Sequence, residues 1–142
     1  MTMFKDEGNR FMGAAFEVYN EIGYGMAEEI HQQSLEIELG MRAIPFVTKK
    51  ELDVYYKNQK LETRYKPDLL VFNGIVVELK AVSDLAKEHD AQLFNYMRIS
   101  RSLVGYLVNY GHKGELEWKR FILGDLHSRP TLAESSARLG VD

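Results

Sequence analysis

Two charged side chains stand at the end of an otherwise apolar stretch of the sequence. Residues 75–79 read Ile-Val-Val-Glu-Leu and Lys80 follows, so Glu78 and Lys80 are two positions apart and would share one face of a strand. A carboxylate and an ammonium at the rim of a buried strand cost desolvation energy unless partners or a metal ion compensate. Asp68, across a predicted hairpin, supplies a second carboxylate.

These residue types predict a site for a hard divalent cation. Two carboxylates, Asp68 and Glu78, and a strand carbonyl, that of Leu79, are the oxygen ligands that Mg²⁺ or Mn²⁺ prefers, and both ions also accept phosphate oxygens. Lys80 would orient an attacking water and stabilise negative charge that develops on a phosphate. This set of groups would suit hydrolysis at phosphorus.

The connection between the two carboxylates decides whether they can meet. A two-residue loop, 73–74, would place Asp68 and Glu78 on opposite faces of the sheet. A three-residue loop, 72–74, with Gly74 in the left-handed region as a bulge, would set Asp68 directly opposite Glu78. We therefore predict the three-residue loop, or an equivalent bulge nearer Asp68.

Four segments resemble motifs of one known superfamily. Residues 67–68 and 78–80, Pro-Asp and Glu-Leu-Lys, resemble the Pro-Asp…(Asp/Glu)-x-Lys signature of the PD-(D/E)xK, or restriction-endonuclease-like, nucleases. Residues 25–31 resemble the Gly-x-x-Glu-x-x-Tyr motif of the small GxxExxY proteins within it. Residues 91–96 resemble the Gln-x-x-x-Tyr helix of its exonuclease branch, and residues 107–111 resemble the Leu-Ile-Asn-Phe-Gly strand that follows that helix.

The resemblance runs from about residue 13 to residue 122 and implies both a fold and residue roles. The implied fold is an α/β, restriction-endonuclease-like core, a mixed β-sheet flanked by helices in the order ααβββαββ. Glu28 inherits the role of a helical metal ligand beside Asp68 and Glu78, and Gln92 inherits the positioning of substrate or water. The Tyr of the helical motif is His31 here, so a role of that ring hydroxyl does not transfer.

Sequence periodicity independently predicts the elements of this fold. Apolar residues at helical spacing predict two helices before the first strand and one between the strands, and β-branched and aromatic runs predict the strands. The predicted domain is 1–125, followed by a tail, 126–142, that forms a short helix or is disordered. The helices are predicted at 6–22, 26–39 and 89–99, and the strands at 46–48, 52–56, 65–72, 75–79, 103–108 and 116–123.

The auxiliary residues each have a structural alternative. Glu28 could be a solvent-facing helix residue. Gln92 and Tyr96 lie one helical turn apart and could be a hydrogen-bonded side chain beside a packed aromatic ring. His89 shares their face and could touch phosphate or cap the helix. Tyr96, His89 and Lys66 are the candidate substrate-binding residues.

Composition excludes several classes of protein and leaves one objection. The 142 residues contain no Cys, and the four His lack His-x-x-x-His spacing, so thiolate and zinc sites are not expected. No apolar run is long enough for a signal peptide or a membrane span, and a cytoplasmic location without membrane partners is the expectation. The net charge of −3 argues against phosphate binding, although six Lys and Arg lie between residues 49 and 66 and could equally form solvated faces.

The predicted function is metal-dependent hydrolysis of phosphodiester bonds in nucleic acid, with DNA indicated by the resemblance alone. One alternative keeps the fold without the reaction, as a nucleic-acid or protein binding module whose acidic cluster stabilises the sheet rim. Another is a metal hydrolase acting on a small phosphorylated substrate, which a deep closed pocket would favour. The sequence leaves RNA as substrate, the mode of cleavage and a homo-oligomeric state open.

Overall fold

A computed structural model of the chain describes residues 3–124 and 139–140. Three helices and eight strands follow one another along these residues. The helices are α1 (Lys5–Ile22), α2 (Glu28–Met41) and α3 (Lys87–Ser100). The strands are β1 (Phe46–Thr48), β2 (Leu52–Tyr56), β3 (Gln59–Tyr65), β4 (Leu69–Val71), β5 (Ile75–Lys80), β6 (Val104–Asn109), β7 (Glu117–Ile122) and β8 (Leu139–Gly140).

Six of the strands form one mixed sheet in the order β1-β4-β5-β6-β7-β8, and β2 pairs with β3 in a separate hairpin. Strands β5 and β6 are parallel, which requires the crossover that α3 provides, and the remaining pairs are antiparallel. Both parallel strands lie at the centre of the sheet and are buried along most of their length.

Helices cover both faces of the sheet. Val77 and Leu79 of β5 pack with α1 and α2, whereas Val76 packs with α3 residues such as Phe94. Because side chains alternate along a strand, Glu78 and Lys80 lie on the same face as Val76, toward α3. Among the described residues no helix combines the length and apolar character needed to span a membrane.

The predicted fold class, a mixed α/β sheet flanked by helices, is confirmed. The structure adds β3, whose first six residues are exposed and polar enough to hide the strand from periodicity analysis. The strand predicted at 65–72 is interrupted at Pro67, which lacks an amide hydrogen for strand pairing, and the chain there passes from the hairpin into the main sheet. The predicted tail lies outside the described residues except for Leu139–Gly140, which pairs with β7.

The loop between β4 and β5 has the predicted three-residue length. Val71 pairs with Ile75 and the register continues toward Asp68 opposite Glu78. The predicted left-handed Gly74 is wrong, because Phe72 (φ 52°) and Asn73 (φ 54°) adopt the left-handed conformation instead. A Cβ atom at position 74 would meet the ring of Phe4, which would have to move to make room for it.

Candidate active site

Asp68 and Glu78 are held together by the backbone of β4 and β5. The amide of Asp68 donates to Glu78 Oε1 at 3.1 Å, and the amide of Leu79 donates to Asp68 Oδ2 at 2.7 Å. Asp68 precedes the first residue of β4 and is buried, with 9% of its surface exposed. The two carboxylates therefore face the same small volume at the edge of the β4–β5 pair, as the predicted register requires.

The electrostatics of this pair favour a cation. The pKa of Glu78 is raised to about 7, first by burial and then by the negative charge of Asp68, and hydrogen bonds from the Asp68 amide and the Tyr65 hydroxyl oppose this rise. Two adjacent carboxylates in a partly desolvated site are stabilised together only when positive charge lies near them. All the donor atoms here are oxygen, and that set suits a hard ion such as Mg²⁺ or Mn²⁺.

Sequence reasoning did not single out Lys49, although it contacts the acidic pair. Its Nζ lies 2.7 Å from Asp68 Oδ1, and this hydrogen bond raises the pKa of the lysine, with smaller contributions from the charges of Asp68, Glu78 and Glu28. Lys49 follows directly after β1, outside any recognisable motif. The only indication of its role in the sequence was its position in the basic run 49–66.

Tyr65 and Gln32 also contact the site and were not predicted. The Tyr65 hydroxyl donates to Glu78 Oε2 at 3.1 Å, and burial raises the pKa of this phenol. Gln32 is buried on α2 and its Nε2 donates to the carbonyl oxygen of Asp68 at 3.1 Å. Gln32 lies one helical turn after Glu28, so helical spacing could have indicated it.

Lys80 and Glu28 border the same volume. Lys80 is the half-buried last residue of β5. Glu28 is the exposed first residue of α2, and its pKa is raised first by partial desolvation and then by the charge of Asp68, while Lys80 and Lys49 lower it. The helical carboxylate predicted from the motif therefore lies within electrostatic reach of Asp68 and both lysines.

Gln92 and Tyr96 lie on α3, beside an open groove of about 650 Å³. Gln92 is exposed and, within the described residues, makes no hydrogen bond to Asp68 or Glu78. Tyr96 stacks on the ring of Tyr65 with 4.4 Å between centroids, which connects this groove to the acidic pair. The groove is lined by Glu88, His89, Ala91, Gln92, Asn95, Tyr96 and Ile99.

His89 and Lys66 have structural partners. His89 Nδ1 accepts a hydrogen bond from the amide of Ala86 at 3.0 Å, which is the helix-capping arrangement. Lys66 forms an exposed ion pair with Glu51 at 3.5 Å. Other cations of the basic run are paired as well: Lys60 and Arg64 both contact Asp53, at 3.3 and 3.1 Å.

His31, which replaces the motif's tyrosine, is a packing residue. It is fully buried and its ring stacks on Tyr110 with 4.5 Å between centroids. His31 Nε2 lies 2.8 Å from the carbonyl oxygen of Gly23, to which it can donate. The ring joins α2 to the segment after β6, so its observed contacts are structural.

A second cluster that could hold a cation lies between the loop after β5 and the β6–β7 turn. Asp84, His112 and Glu117 each offer one ligand atom, and these atoms lie within 4.8 Å of one another. His112 Nδ1 contacts the carbonyl of Glu115 at 2.8 Å, and this bond is the main cause of the raised pKa of His112. None of these residues was predicted, because they are distant in sequence and Asp84 is largely exposed.

Comparison with known proteins identifies the superfamily of this chain. The crystal structure of SSO0001 is similar over 65% of this chain, with 18% identity and a TM-score of 0.51, and supports the fold. The matched part is 48% of that protein, so the chain spans about half of its length. A search of curated proteins found no match. A family model described as the PD-(D/E)XK nuclease superfamily matches residues 5–121, and the chain therefore belongs to that superfamily.

Proposed function

We propose that residues 1–125 form a Mg²⁺- or Mn²⁺-dependent nuclease that hydrolyses phosphodiester bonds, with DNA as its substrate. The observation that carries this proposal is the position of Asp68 opposite Glu78, with Lys80 on the same strand face. Residues 25–31 further support a place among the GxxExxY proteins of the superfamily, with His31 as the departure from their motif.

Each residue of the site has a chemical role in this proposal. Asp68, Glu78 and Glu28, with the carbonyl of Leu79, would hold the divalent ion, which when bound polarises a phosphate oxygen and makes a nearby water more acidic. Lys80 would orient that water and stabilise the negative charge that develops on the phosphate oxygens as the P–O bond breaks.

The α3 groove supports a polymeric substrate over a small one. It is open along its length, whereas a small phosphorylated molecule is usually held in a closed pocket. Gln92 and Tyr96 lie where they could contact a strand that continues past the acidic pair. His89, from its capping position, and Lys66, after β3, could add contacts at the ends of that path.

One observation favours the catalytically silent alternative. All four oxygens of the acidic pair accept hydrogen bonds from protein groups: Asp68 from Lys49 and the Leu79 amide, and Glu78 from its own neighbours Tyr65 and the Asp68 amide. A cluster satisfied in this way could serve stability alone. The two functions therefore have to be separated by experiment.

The decisive experiment is a cleavage assay on the full chain. Labelled linear and circular DNA, single- and double-stranded, would be incubated with Mg²⁺, Mn²⁺ or a chelator, beside RNA of the same sequence. We expect cleavage that requires the metal and falls at least about a hundredfold in Glu78→Gln and in Lys80→Ala, the scale on which single electrostatic groups act in catalysis.

Two matched variants control for non-specific effects. Glu62→Gln and Lys113→Ala remove the same charges from exposed positions outside the site and should cleave like the unaltered chain. Metal-independent cleavage, or full activity in folded Glu78→Gln, would overturn the proposal. Tight DNA binding with no cleavage under any condition would establish the silent module instead.

A further inference from the structure

The charges around the acidic pair match one divalent ion better than two. Glu28, Asp68 and Glu78 contribute three negative charges when ionised, and Lys49 and Lys80 contribute two positive charges, which leaves a net charge of −1. One divalent ion would bring the site to +1, equal and opposite to one phosphodiester. Two ions would leave a large positive excess beside a substrate group that carries a single charge.

Lys49 is fixed on the carboxylate that a second ion would need. Its ammonium occupies Asp68 Oδ1 at 2.7 Å, while the other oxygen of Asp68 accepts the Leu79 amide. In two-metal nucleases the ions lie about 4 Å apart and act as a paired clamp on the attacking and leaving oxygens. Both Asp68 oxygens already contact protein groups. The Lys49 ammonium therefore takes the place on this carboxylate that a second metal ion would need.

The backbone of Lys49 also contacts Asp68 and adopts an unusual conformation there. The residue has a φ of 53°, a left-handed conformation that costs free energy for any residue with a Cβ atom. Its amide donates to the carbonyl of Asp68 at 3.3 Å, so both ends of Lys49 are tied to Asp68. The side chain remains 53% exposed beside an open cleft that Glu28 and Gln32 also line, so the ammonium can be approached from solvent.

We propose that Lys49 is a positioning residue that supplies the second positive charge of the site, so that the nuclease works with one divalent ion. This inference rests on the proposed nuclease function. The lysine neutralises one charge of the acidic pair and orients Asp68, and Lys80 remains available for the phosphate.

The test counts bound Mn²⁺ by electron paramagnetic resonance and measures cleavage on the same samples. All proteins carry His112→Gln, so that the Asp84–His112–Glu117 cluster does not add an ion. We expect one Mn²⁺ per chain in this background. Lys49→Met should bind Mn²⁺ about tenfold more tightly, because a neighbouring positive charge is removed, and should cleave at least about tenfold more slowly. Lys49→Arg keeps the charge and should keep the affinity close to that of lysine.

Opposite changes in affinity and rate separate positioning from a general structural role, because a damaged site would lose both. Two Mn²⁺ ions on the protein with Lys49 intact would overturn the inference, whether or not Lys49→Met folds. Unchanged Mn²⁺ affinity in folded Lys49→Met would also overturn it. Both results are distinct from failure of the proposed function, which would appear as absence of metal-dependent cleavage by the chain with its natural sequence.

Discussion

The hydroxyl of Tyr65 donates a hydrogen bond to Glu78 Oε2 at 3.1 Å, while the ring of Tyr65 stacks on Tyr96. Tyr65 ends strand β3 of the separate hairpin, Tyr96 belongs to α3, and Glu78 belongs to the central strand β5. One side chain thus links three elements at the acidic pair. The orientation of the Glu78 carboxylate depends on how the hairpin and α3 pack together.

Removing the Tyr65 hydroxyl should shift the pH dependence of cleavage. Its hydrogen bond favours the ionised carboxylate and lowers the pKa of Glu78, so Tyr65→Phe should raise that pKa above its value of about 7. A ligand that must be ionised to hold a metal then needs a higher pH. We expect the acid limb of the kcat/KM profile to move to higher pH, with a stability loss of about 1 kcal/mol.

Tyr56→Phe is the matched control for this shift, because Tyr56 is exposed at the other end of the hairpin. Its pH profile should coincide with that of the unaltered chain. An acid limb that stays in place in Tyr65→Phe, with the fold intact by circular dichroism, would show that the phenol does not act on Glu78.

Glu78→Gln should stabilise the fold at alkaline pH when metal is chelated. The folded-state pKa of Glu78 is raised to about 7 from an ordinary value of 4.5, so the native state binds this proton more tightly than the unfolded state does. The associated stabilisation is fully present below about pH 4.5 and is lost as the pH rises through about 7. Glutamine never ionises, so at pH 8 we expect Glu78→Gln to be more stable by about 1 to 3 kcal/mol.

Urea unfolding at several pH values with a chelator checks this expectation. The difference in free energy of unfolding between Glu78→Gln and the unaltered chain should grow from pH 5 to pH 8. Glu62→Gln, on the exposed strand β3, should show no such trend. A variant that is less stable at pH 8 than at pH 5, relative to the unaltered chain, would contradict the cause assigned to the raised pKa.

The sequence predicted the parts of the site that depend on local register. The three-residue loop 72–74 was predicted because strand alternation brings Asp68 opposite Glu78 only with that length, and the observed pairing of Val71 with Ile75 has it. Periodicity predicted the helices and most of the strands, and their order along the chain indicated a mixed sheet covered by helices. The conformation of Gly74 was predicted wrongly, because the loop places its left-handed residues at Phe72 and Asn73 instead.

The missed residues reach the site through tertiary packing. Lys49 and Gln32 contact Asp68 from other elements, 19 and 36 positions away, and no spacing rule relates a loop lysine or a helical glutamine to a carboxylate at that separation. Strand β3 was missed because its first six residues are exposed, so no alternation of apolar and polar residues marks it. Only Tyr65, its last residue, is buried.

Asn109 should be essential for the loop that joins Lys80 to α3. The side chain is fully buried and makes four hydrogen bonds, to both the amide and the carbonyl of Val82, to the amide of Gly111, and to Glu117. Asn109→Leu keeps the branched shape of the side chain and leaves these groups without partners. We expect a loss of about 3 kcal/mol or more in urea unfolding, since each buried polar group left unpaired costs about 1 to 3 kcal/mol.

Asn95→Leu is the comparison for this variant, because Asn95 is exposed on α3 and makes no hydrogen bond through its side chain within the described residues. It should change stability by less than about 0.5 kcal/mol. A similarly small change in Asn109→Leu would mean that the loop can rearrange to satisfy the freed groups.

Lys119 and Asp90 should show strong coupling, because they form a largely buried ion pair that fixes α3 to β7. Lys119 Nζ lies 2.6 Å from Asp90 Oδ2, and the two side chains are 25% and 10% exposed. Lys119→Met leaves a buried carboxylate without its cation, and we expect a loss of about 3 kcal/mol in urea unfolding. Because the double variant Asp90→Leu, Lys119→Met removes both charges, it should be more stable than Lys119→Met alone. Equal losses in the two proteins would mean that solvent already satisfies Asp90, and α3 would then be held against the sheet by its apolar residues alone.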